Sequence, residues 1–227
     1  MTEMAPHTQA PPSDRVRLRR KRERGRYDRA AIDAILDEAL IAHLGLLTPA
    51  GHPLVIPTLH ARDGDRVLIH GSAGSRTLRA MMTGAPVCLT VSLIDGLVLA
   101  RSALHHSANY RSVVLLGRAT SIEQPGEKTE ALRALIEHLI PGRWPDVRPP
   151  SEDELRATAV LALPIDEASA KIRDAPPIDD EADHALGAWA GVIPLEASAG
   201  PPRPDPLMAA GAPVPAYATA YRRSATA

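Results

Sequence analysis

Aromatic residues and cysteine are nearly absent from this chain of 227 residues, which has no Phe, two Trp, four Tyr and one Cys. Its core must therefore consist of Leu, Val, Ile and Ala, and an apolar content of 44% is enough for one domain of ordinary size. The lone Cys88 excludes an internal disulfide and fits a reducing compartment. We expect Cys88 to be a small buried hydrophobic residue.

Long apolar runs and an excess of charge are also lacking. No run approaches the roughly 20 residues that a membrane-spanning helix needs. Residues 1–12 contain no apolar segment of the kind found in signal peptides. The net charge of −1 gives no global indication of nucleic acid or of an anionic membrane as a partner. These absences predict a cytoplasmic protein that binds neither.

Composition divides the chain into three parts. Residues 1–26 are expected to form a flexible basic arm, of which the first 13 residues are polar and disordered. Residues 27–196 have the apolar periodicity of a folded domain. Residues 197–227 are dominated by Ala, Gly and Pro, so we expect a disordered tail that is dispensable for stability.

The arm contains the one strongly charged segment of the sequence. Residues 14–26 include eight Arg or Lys and only two acidic residues, Asp14 and Glu23. Such a run is typical of a solvated arm, but it could also bind nucleic acid or present an arginine to a ligand phosphate.

Periodicity predicts a domain that is mainly β. Asp28 can cap an amphipathic helix, and apolar spacing at 132–139 indicates a second helix. Six short strands precede the second helix and two follow it, with hairpin signals at 63–65 and 94–96. Because strict strand–helix alternation is absent, a doubly wound parallel sheet is excluded. We expect a closed or nearly closed antiparallel barrel.

Residues 69–76 are the most informative segment, since a strand there runs into small residues and then opens a helix. Backbone amides at a helix start favour an anion. Ser75 adds a hydroxyl donor, Arg76 adds a guanidinium that matches phosphate oxygens, and Gly71 lets the backbone approach a ligand. The spacing is not that of a Walker loop. The segment predicts a phosphate cradle, with a capped surface turn as the alternative.

This segment resembles the phosphate-binding turn of the FMN-binding split β-barrels, the pyridoxamine 5'-phosphate oxidase-like family. The resemblance covers roughly residues 20–196 and is greatest for the subgroup of flavin-nucleotide-binding and 5-nitroimidazole-resistance-like proteins. Besides the cradle, the segments that carry it are 26–28, 93–102, 105–113 and 188–194. It implies an antiparallel Greek-key split β-barrel with peripheral helices, and a homodimer with FMN in a groove between its subunits.

The resemblance also implies which residues meet the cofactor. The strand 55–58 lies where the family places backbone along the flavin edge, and His70 lies where related proteins place a histidine beside flavin or substrate. His70 is therefore the catalytic candidate, as a proton donor or relay, with a structural rim histidine as the alternative. The predicted FMN-binding residues are Val55, Ile56, Pro57, Thr58, Ile69, His70, Gly71, Ser75, Arg76, His106, Asn109, Tyr110, Arg111 and Trp189.

Two features depart from the pyridoxamine phosphate oxidases proper. Thr77 stands where those enzymes often have Lys, which leaves one cation fewer for the phosphate unless Arg79 or the arm compensates. The C-terminal pattern that binds the substrate phosphate is missing, so vitamin B6 oxidation is not expected. Trp189 could stack on the flavin or pack in the core.

No metal is expected from the sequence. His105 and His106 are adjacent, so their side chains point apart on an extended chain, and no third ligand follows at a usual spacing. The favoured function is an FMN-dependent oxidoreductase that acts on a small molecule. The alternatives are a non-catalytic flavin carrier or sensor, and a haem-binding split barrel with His70 or His106 as axial ligand.

Overall fold

The computed structural model describes residues 9–209 and 211–222. Among these residues the chain forms eleven strands and five α-helices. The strands are β1 Gly25–Arg26, β2 Ile41–Leu47, β3 Pro53–Leu59, β4 Ala61–Asp63, β5 Arg66–Ser72, β6 Pro86–Leu99, β7 Ser107–Arg118, β8 Thr120–Ser121, β9 Thr158–Pro164, β10 Glu167–Arg173 and β11 Gly191–Pro194. The helices are α1 Arg29–Glu38, α2 Arg76–Met82, α3 Pro125–Leu139, α4 Glu152–Ala157 and α5 Ala216–Thr219. No described helix is both long and apolar enough to cross a membrane.

The strands form two antiparallel sheets. The larger has the order β1-β10-β7-β6-β2-β3, with β11 paired to the far end of β6, and the smaller has the order β4-β5-β9-β8. Within the described chain no ladder joins the two sheets, so the expected closed or nearly closed barrel is not closed here. The fold is mainly β and antiparallel, and it is consistent with the split-barrel family.

The main apolar core lies between the two sheets. Along β5 the side chains alternate, so that Val67 and Ile69 face this core whereas Leu68 faces a second cluster beneath α3. His70 follows in the same alternation and shares the face of Leu68. Helix α1 covers the main core with Ile35 and other apolar residues. His70 therefore lies outside the space between the sheets.

Capping residues in the sequence predicted where two of the helices begin. Asp28 caps α1, and its carboxylate accepts a hydrogen bond from Ala31 N at 2.9 Å. Ser151 and Glu154 form a capping box at the start of α4, with hydrogen bonds of 3.3 and 2.7 Å. Both were predicted from the sequence because such caps depend on residues three positions apart.

The segment predicted as two strands around a turn at 94–96 is one long strand. β6 stays paired with β7 on both sides of this point, and the register shifts between Ile94 and Gly96, which makes a β-bulge. A Cβ at Gly96 would lie 3.1 Å from the carbonyl oxygen of Ile193 on β11. The glycine therefore allows β11 to approach β6 closely rather than making a turn.

The described part of the basic arm is packed on the domain. Val16 is buried, Leu18 N donates to the Tyr27 hydroxyl at 2.9 Å, and β1 pairs with β10. A buried apolar residue and a short ladder thus lie among the charges of the arm, and its flexibility stays a prediction. The disorder predicted for residues 1–8 lies outside the described residues.

The tail also contacts the domain. The Tyr221 hydroxyl donates to Leu139 O at 2.9 Å, and Arg143 donates to the Tyr217 hydroxyl at 2.5 Å. These contacts lie within the described part of the tail, and the disorder expected over 197–227 stays a prediction. The Ala- and Pro-rich composition gave no sign of the contacts that Tyr217 and Tyr221 make. Residues 210 and 223–227 lie outside the described chain.

Candidate functional site

The predicted cradle connects β5 to α2. Ser75 caps α2, and its Oγ accepts a hydrogen bond from Leu78 N at 3.4 Å, while Ser75 N donates to Ser72 O at 2.9 Å. A hydroxyl that accepts one bond still has its own O–H to donate. Ser75 can therefore fix the turn and also offer a donor to a ligand.

Arg76 is the cation of this turn. Its side chain is exposed and makes no hydrogen bond or ion pair with any described residue. Arg79, one helical turn later, is exposed as well and makes only a long contact of 3.4 Å from Nε to Ala73 O. An unpaired guanidinium beside a capped turn is available to phosphate oxygens.

Gly71 has a packing role in the cradle. A Cβ there would lie 2.9 Å from Leu78 Cδ1, so a side chain at this position would force the buried Leu78 side chain of α2 to shift. The sequence attributed this glycine to a close approach of a ligand. Within the chain the close approach is that of α2, which sets the position of Ser75 and Arg76.

His70 is half-buried, and its Nδ1 has no hydrogen-bond partner among the described residues. Burial lowers the pKa of the His70 imidazole, so the ring is neutral near pH 7 and retains a lone pair. The alternative of a rim histidine bonded to backbone does not match this geometry. This Nδ1 is itself buried, so a ligand would contact the imidazole through its other atoms.

The strand predicted to lie along the flavin is β3, at the edge of the larger sheet. Val55 is 63% exposed, Pro57 is exposed, and Ile56 packs against the core. Thr58 uses its hydroxyl on Leu59 O at 3.1 Å. Val55 and Pro57 thus offer an apolar surface to a flat ligand.

Ile69 cannot offer its side chain to a ligand, because it is 1% exposed and lies in the main core. Only its backbone remains for a ligand contact. Three further predicted FMN contacts, Asn109, Tyr110 and Arg111, lie on β7. In the sheet order β7 is three strands from β3. At roughly 4.8 Å per strand this separation is about 14 Å along the sheet. One chain therefore holds two separate groups of predicted contacts.

Arg111 is engaged within the chain. Its guanidinium donates to Asp95 at 2.7 and 3.0 Å and to Glu38 at 2.8 Å, with a further bond from Nη1 to Glu38. Hydrogen bonds to Glu38 and then to Asp95 raise the pKa of Arg111. This differs from its predicted role as a flavin donor. The sequence could not reveal it, because Glu38 and Asp95 come from other elements.

Asn109 is also a structural residue in this chain. It is 5% exposed, and its Oδ1 accepts hydrogen bonds from Arg173 and, at 3.2 Å, from Ala175 N. It therefore holds the start of the segment after β10 rather than presenting its amide to a flavin. Tyr110 is half-buried beside it on β7, opposite Ile94 and Arg173.

The two adjacent histidines have different surroundings. His106 Nδ1 lies 3.0 Å from Ser102 O, which leaves Nε2 on the exposed side. His105 Nδ1 lies 3.0 Å from the Ser102 hydroxyl, and its ring stands within 4.8 Å of carboxylate oxygens of Asp180 and Asp183. The sequence found no third ligand because these two carboxylates come from a distant segment.

Trp189 is 66% exposed, and its ring lies across Gly191, where a Cβ would come within 2.7 Å of it. Trp189 therefore does not pack in the core, which was the alternative interpretation. The ring presents its outer face to whatever binds there, and an exposed aromatic plane can stack on a flat ligand.

Comparisons with known proteins agree on the fold. The family model described as pyridoxamine 5'-phosphate oxidase matches residues 28–172. The flavocytochrome Anf3 from Azotobacter vinelandii is 46% identical, with a TM-score of 0.88, and the match covers 94% of this chain and 99% of that one. The FAD and heme binding protein from Mycobacterium smegmatis is 40% identical, with a TM-score of 0.82 and coverage of 86% and 95%.

A structure from Bacteroides thetaiotaomicron, described in terms of 5-nitroimidazole antibiotic resistance, is 24% identical, with a TM-score of 0.56 and coverage of 65% and 86%. At this identity the likeness concerns the fold alone. No curated protein matches the chain.

Proposed function

Since the chain belongs to the pyridoxamine 5'-phosphate oxidase family, we propose that it is a flavoprotein that also binds haem and transfers electrons between the two groups. The observation that carries this proposal is the nearly full-length similarity, at 46% and 40% identity, to a flavocytochrome and to a protein that binds FAD and haem. Flavin supplies two-electron and one-electron chemistry, haem supplies one-electron chemistry, and the protein sets their positions.

The flavin phosphate belongs at Ser75 and Arg76. The hydroxyl of Ser75 and the unpaired guanidinium of Arg76 are donors at the same turn. FMN and FAD share the phosphate that follows the ribityl chain, so the cradle suits either. The family resemblance favours FMN, whereas the similar protein from Mycobacterium smegmatis is described as binding FAD.

Substitution of Arg76 tests this placement. A hydrogen bond to a charged group contributes about 1.5–3 kcal/mol, and 1.4 kcal/mol is tenfold in affinity. Arg76→Ala should therefore weaken FMN binding by roughly 10- to 150-fold. Riboflavin, which lacks the phosphate, should bind to the variant as it does to the wild type. Arg133→Ala on α3 is a matched control, and equal losses for FMN and riboflavin would place the phosphate elsewhere.

We favour His70 as the residue that would hold a haem iron. Its imidazole is neutral and half-buried, with no partner for Nδ1 in the described chain, whereas His106 has one nitrogen held by Ser102 O and the other on the exposed side.

Removal of each imidazole should separate the two candidates. In His70→Ala the intense Soret band should disappear while the flavin absorption remains, and the exposed His52→Ala is the control. Loss of the Soret band in His106→Ala alone would assign the iron ligand to His106. A full haem spectrum in both variants would contradict ligation by either histidine.

We propose that the working form is a homodimer. The predicted FMN contacts form two groups that are separated within one chain. One group lies on β3 and the cradle, and the other lies on β7. Large apolar side chains are exposed on β2, β3 and β7, and such surfaces mark interfaces. The residues are Ile41 (44% exposed), Leu47 (62%), Leu54 (37%), Val55 (63%) and Val114 (37%). Light scattering should give twice the chain mass with flavin bound, and a monomer that retains flavin would contradict this.

The runner-up is an FMN-dependent oxidoreductase without haem. The phosphate cradle and the neutral His70 suit that function equally well, since a neutral imidazole near a flavin can relay a proton. Flavin reduction by NAD(P)H in His70→Gln distinguishes the two. A slower reduction with no haem present in the wild type would favour the oxidoreductase.

A further inference from the structure

Arg173 is a buried cation without a carboxylate partner. The residue is 5% exposed and donates only to neutral oxygens, which are Asn109 Oδ1, Ala175 O at 2.9 Å and Pro176 O at 3.1 Å. Its Nε is buried and has no partner among the described residues. Burial first, and then the like charge of Arg24, lower the pKa of Arg173. No described carboxylate forms an ion pair with it, and the nearby Asp174 offsets its charge only in part.

Further cations lie beside this buried charge. We call residues 19–24 the arm turn; it contains Arg19, Arg20, Lys21, Arg22, Glu23 and Arg24. The turn leads directly into β1, where Gly25 pairs with Lys171 of β10, so it stands next to the end of the strand that carries Arg173. The nearby carboxylates are those of Glu23 and Asp174, which are outnumbered by the cations.

None of the arm-turn cations makes an ion pair with a described residue. The contrast with the start of the arm is clear, because Arg17 pairs with Asp14 at 2.7 Å and Arg15 with Glu167 at 3.5 Å. Within the arm turn, Arg22 Nε makes only a long contact of 3.4 Å with Arg19 O. The unpaired charge is thus concentrated at one point of the surface.

The arm turn is held in place. Leu18 N donates to the Tyr27 hydroxyl at 2.9 Å before the turn, and Arg24 N donates to Lys21 O at 3.0 Å within it. Lys21 has a φ of 54°, in the left-handed region that side chains rarely adopt. The backbone of the turn is thus fixed before a ligand binds, which lowers the entropy cost of binding.

We propose that the arm turn, supported by the buried charge of Arg173, is a second phosphate site that takes the diphosphate of a dinucleotide. A diphosphate is a compact double anion, and guanidinium groups match its oxygens. The cations occupy one short turn rather than a long stripe, which suits a small ligand better than a nucleic acid.

Two ligands contain such a diphosphate, and the choice of the first one rests on the proposed function. One is FAD itself, in which case a second copy must present its cradle to this edge, because the arm turn borders the larger sheet and the cradle lies in the smaller one. The other is a nicotinamide dinucleotide that acts as electron donor, which needs no second copy at the arm turn.

The test is a calorimetric titration of FMN, FAD and NADPH into the full chain freed of bound cofactor. The variant is Arg22→Ala/Arg24→Ala, and the matched control is Arg133→Ala/Arg156→Ala, which removes two cations from α3 and α4. A charged hydrogen bond corresponds to about tenfold or more in affinity. FAD or NADPH should therefore bind roughly 10- to 150-fold more weakly to the variant, with FMN unchanged.

A selective loss for FAD identifies the flavin's own diphosphate, and a selective loss for NADPH identifies the donor. Unchanged affinities for both dinucleotides, or an equal loss for FMN, would overturn the proposal. It is also overturned if the variant instead loses binding to duplex DNA or to anionic vesicles. If the wild type binds no flavin, the proposed function fails and the NADPH titration alone decides this site. Arg22→Ala, at an exposed position, serves if the double variant does not fold.

Discussion

Arg111 shows at the scale of one residue how a predicted ligand contact becomes a structural one. Its guanidinium joins Glu38 at the end of α1 to Asp95 at the bulge of β6, and the three side chains are 24%, 13% and 34% exposed. Arg111→Ala would leave two carboxylates facing each other. Full burial of an unpaired charge costs about 3–5 kcal/mol, and partial exposure reduces this to about 1–3 kcal/mol of unfolding free energy. Urea unfolding measures the loss.

The matched control is Arg148→Ala. Arg148 pairs with Glu154 at 2.6 Å, but both side chains are mostly open to solvent, at 71% and 48% exposure. Solvent screening makes such a pair contribute little. If the two variants lost equal stability, the network around Arg111 would be an ordinary surface ion pair.

Cys88 gives a pH-dependent prediction. Burial raises the pKa of its thiol, so less of the reactive thiolate is present at pH 8 than in a free cysteine. Modification by a thiol reagent should be slower than that of a cysteine peptide and should accelerate as the pH rises. A rate equal to that of the peptide would show that Cys88 is neither shielded nor shifted.

At the scale of elements, the tail makes the most direct prediction. Tyr217 and Tyr221 hold α5 against the end of α3 through Arg143 and Leu139 O. Deletion of residues 213–227 should lower the melting temperature by a few degrees, since about 1 kcal/mol corresponds to roughly 2–4 °C in a chain of this size. Tyr221→Phe should account for about 0.5–1.5 kcal/mol of it. An unchanged melting temperature would support the disorder that the composition predicts.

Elements whose signals are local were predictable from the sequence. The cap at Asp28, the capping box at Ser151 and the helix start at Ser75 each depend on residues three positions apart. The bulge of β6 was missed, because Gly96 serves a partner strand about 100 residues later in the chain, and no local rule contains β11.

On the scale of the whole molecule, the sequence predicted the family, but not which candidate residues remain available to a ligand. Arg76 remains unpaired and His70 lacks a partner at Nδ1 in the described chain, whereas Arg111 and Asn109 are engaged by distant residues. Those partners meet only when the sheets assemble. The same assembly leaves β3 and β7 apart, and this separation is the physical reason to expect a second subunit.

The most direct test of flavin and haem binding is the absorption spectrum of the purified protein after reconstitution with both groups. We predict the two flavin bands and an intense Soret band in the same protein fraction, with the Soret band lost in His70→Ala and the FMN affinity reduced in Arg76→Ala. A protein that holds neither group after reconstitution would contradict the proposed function.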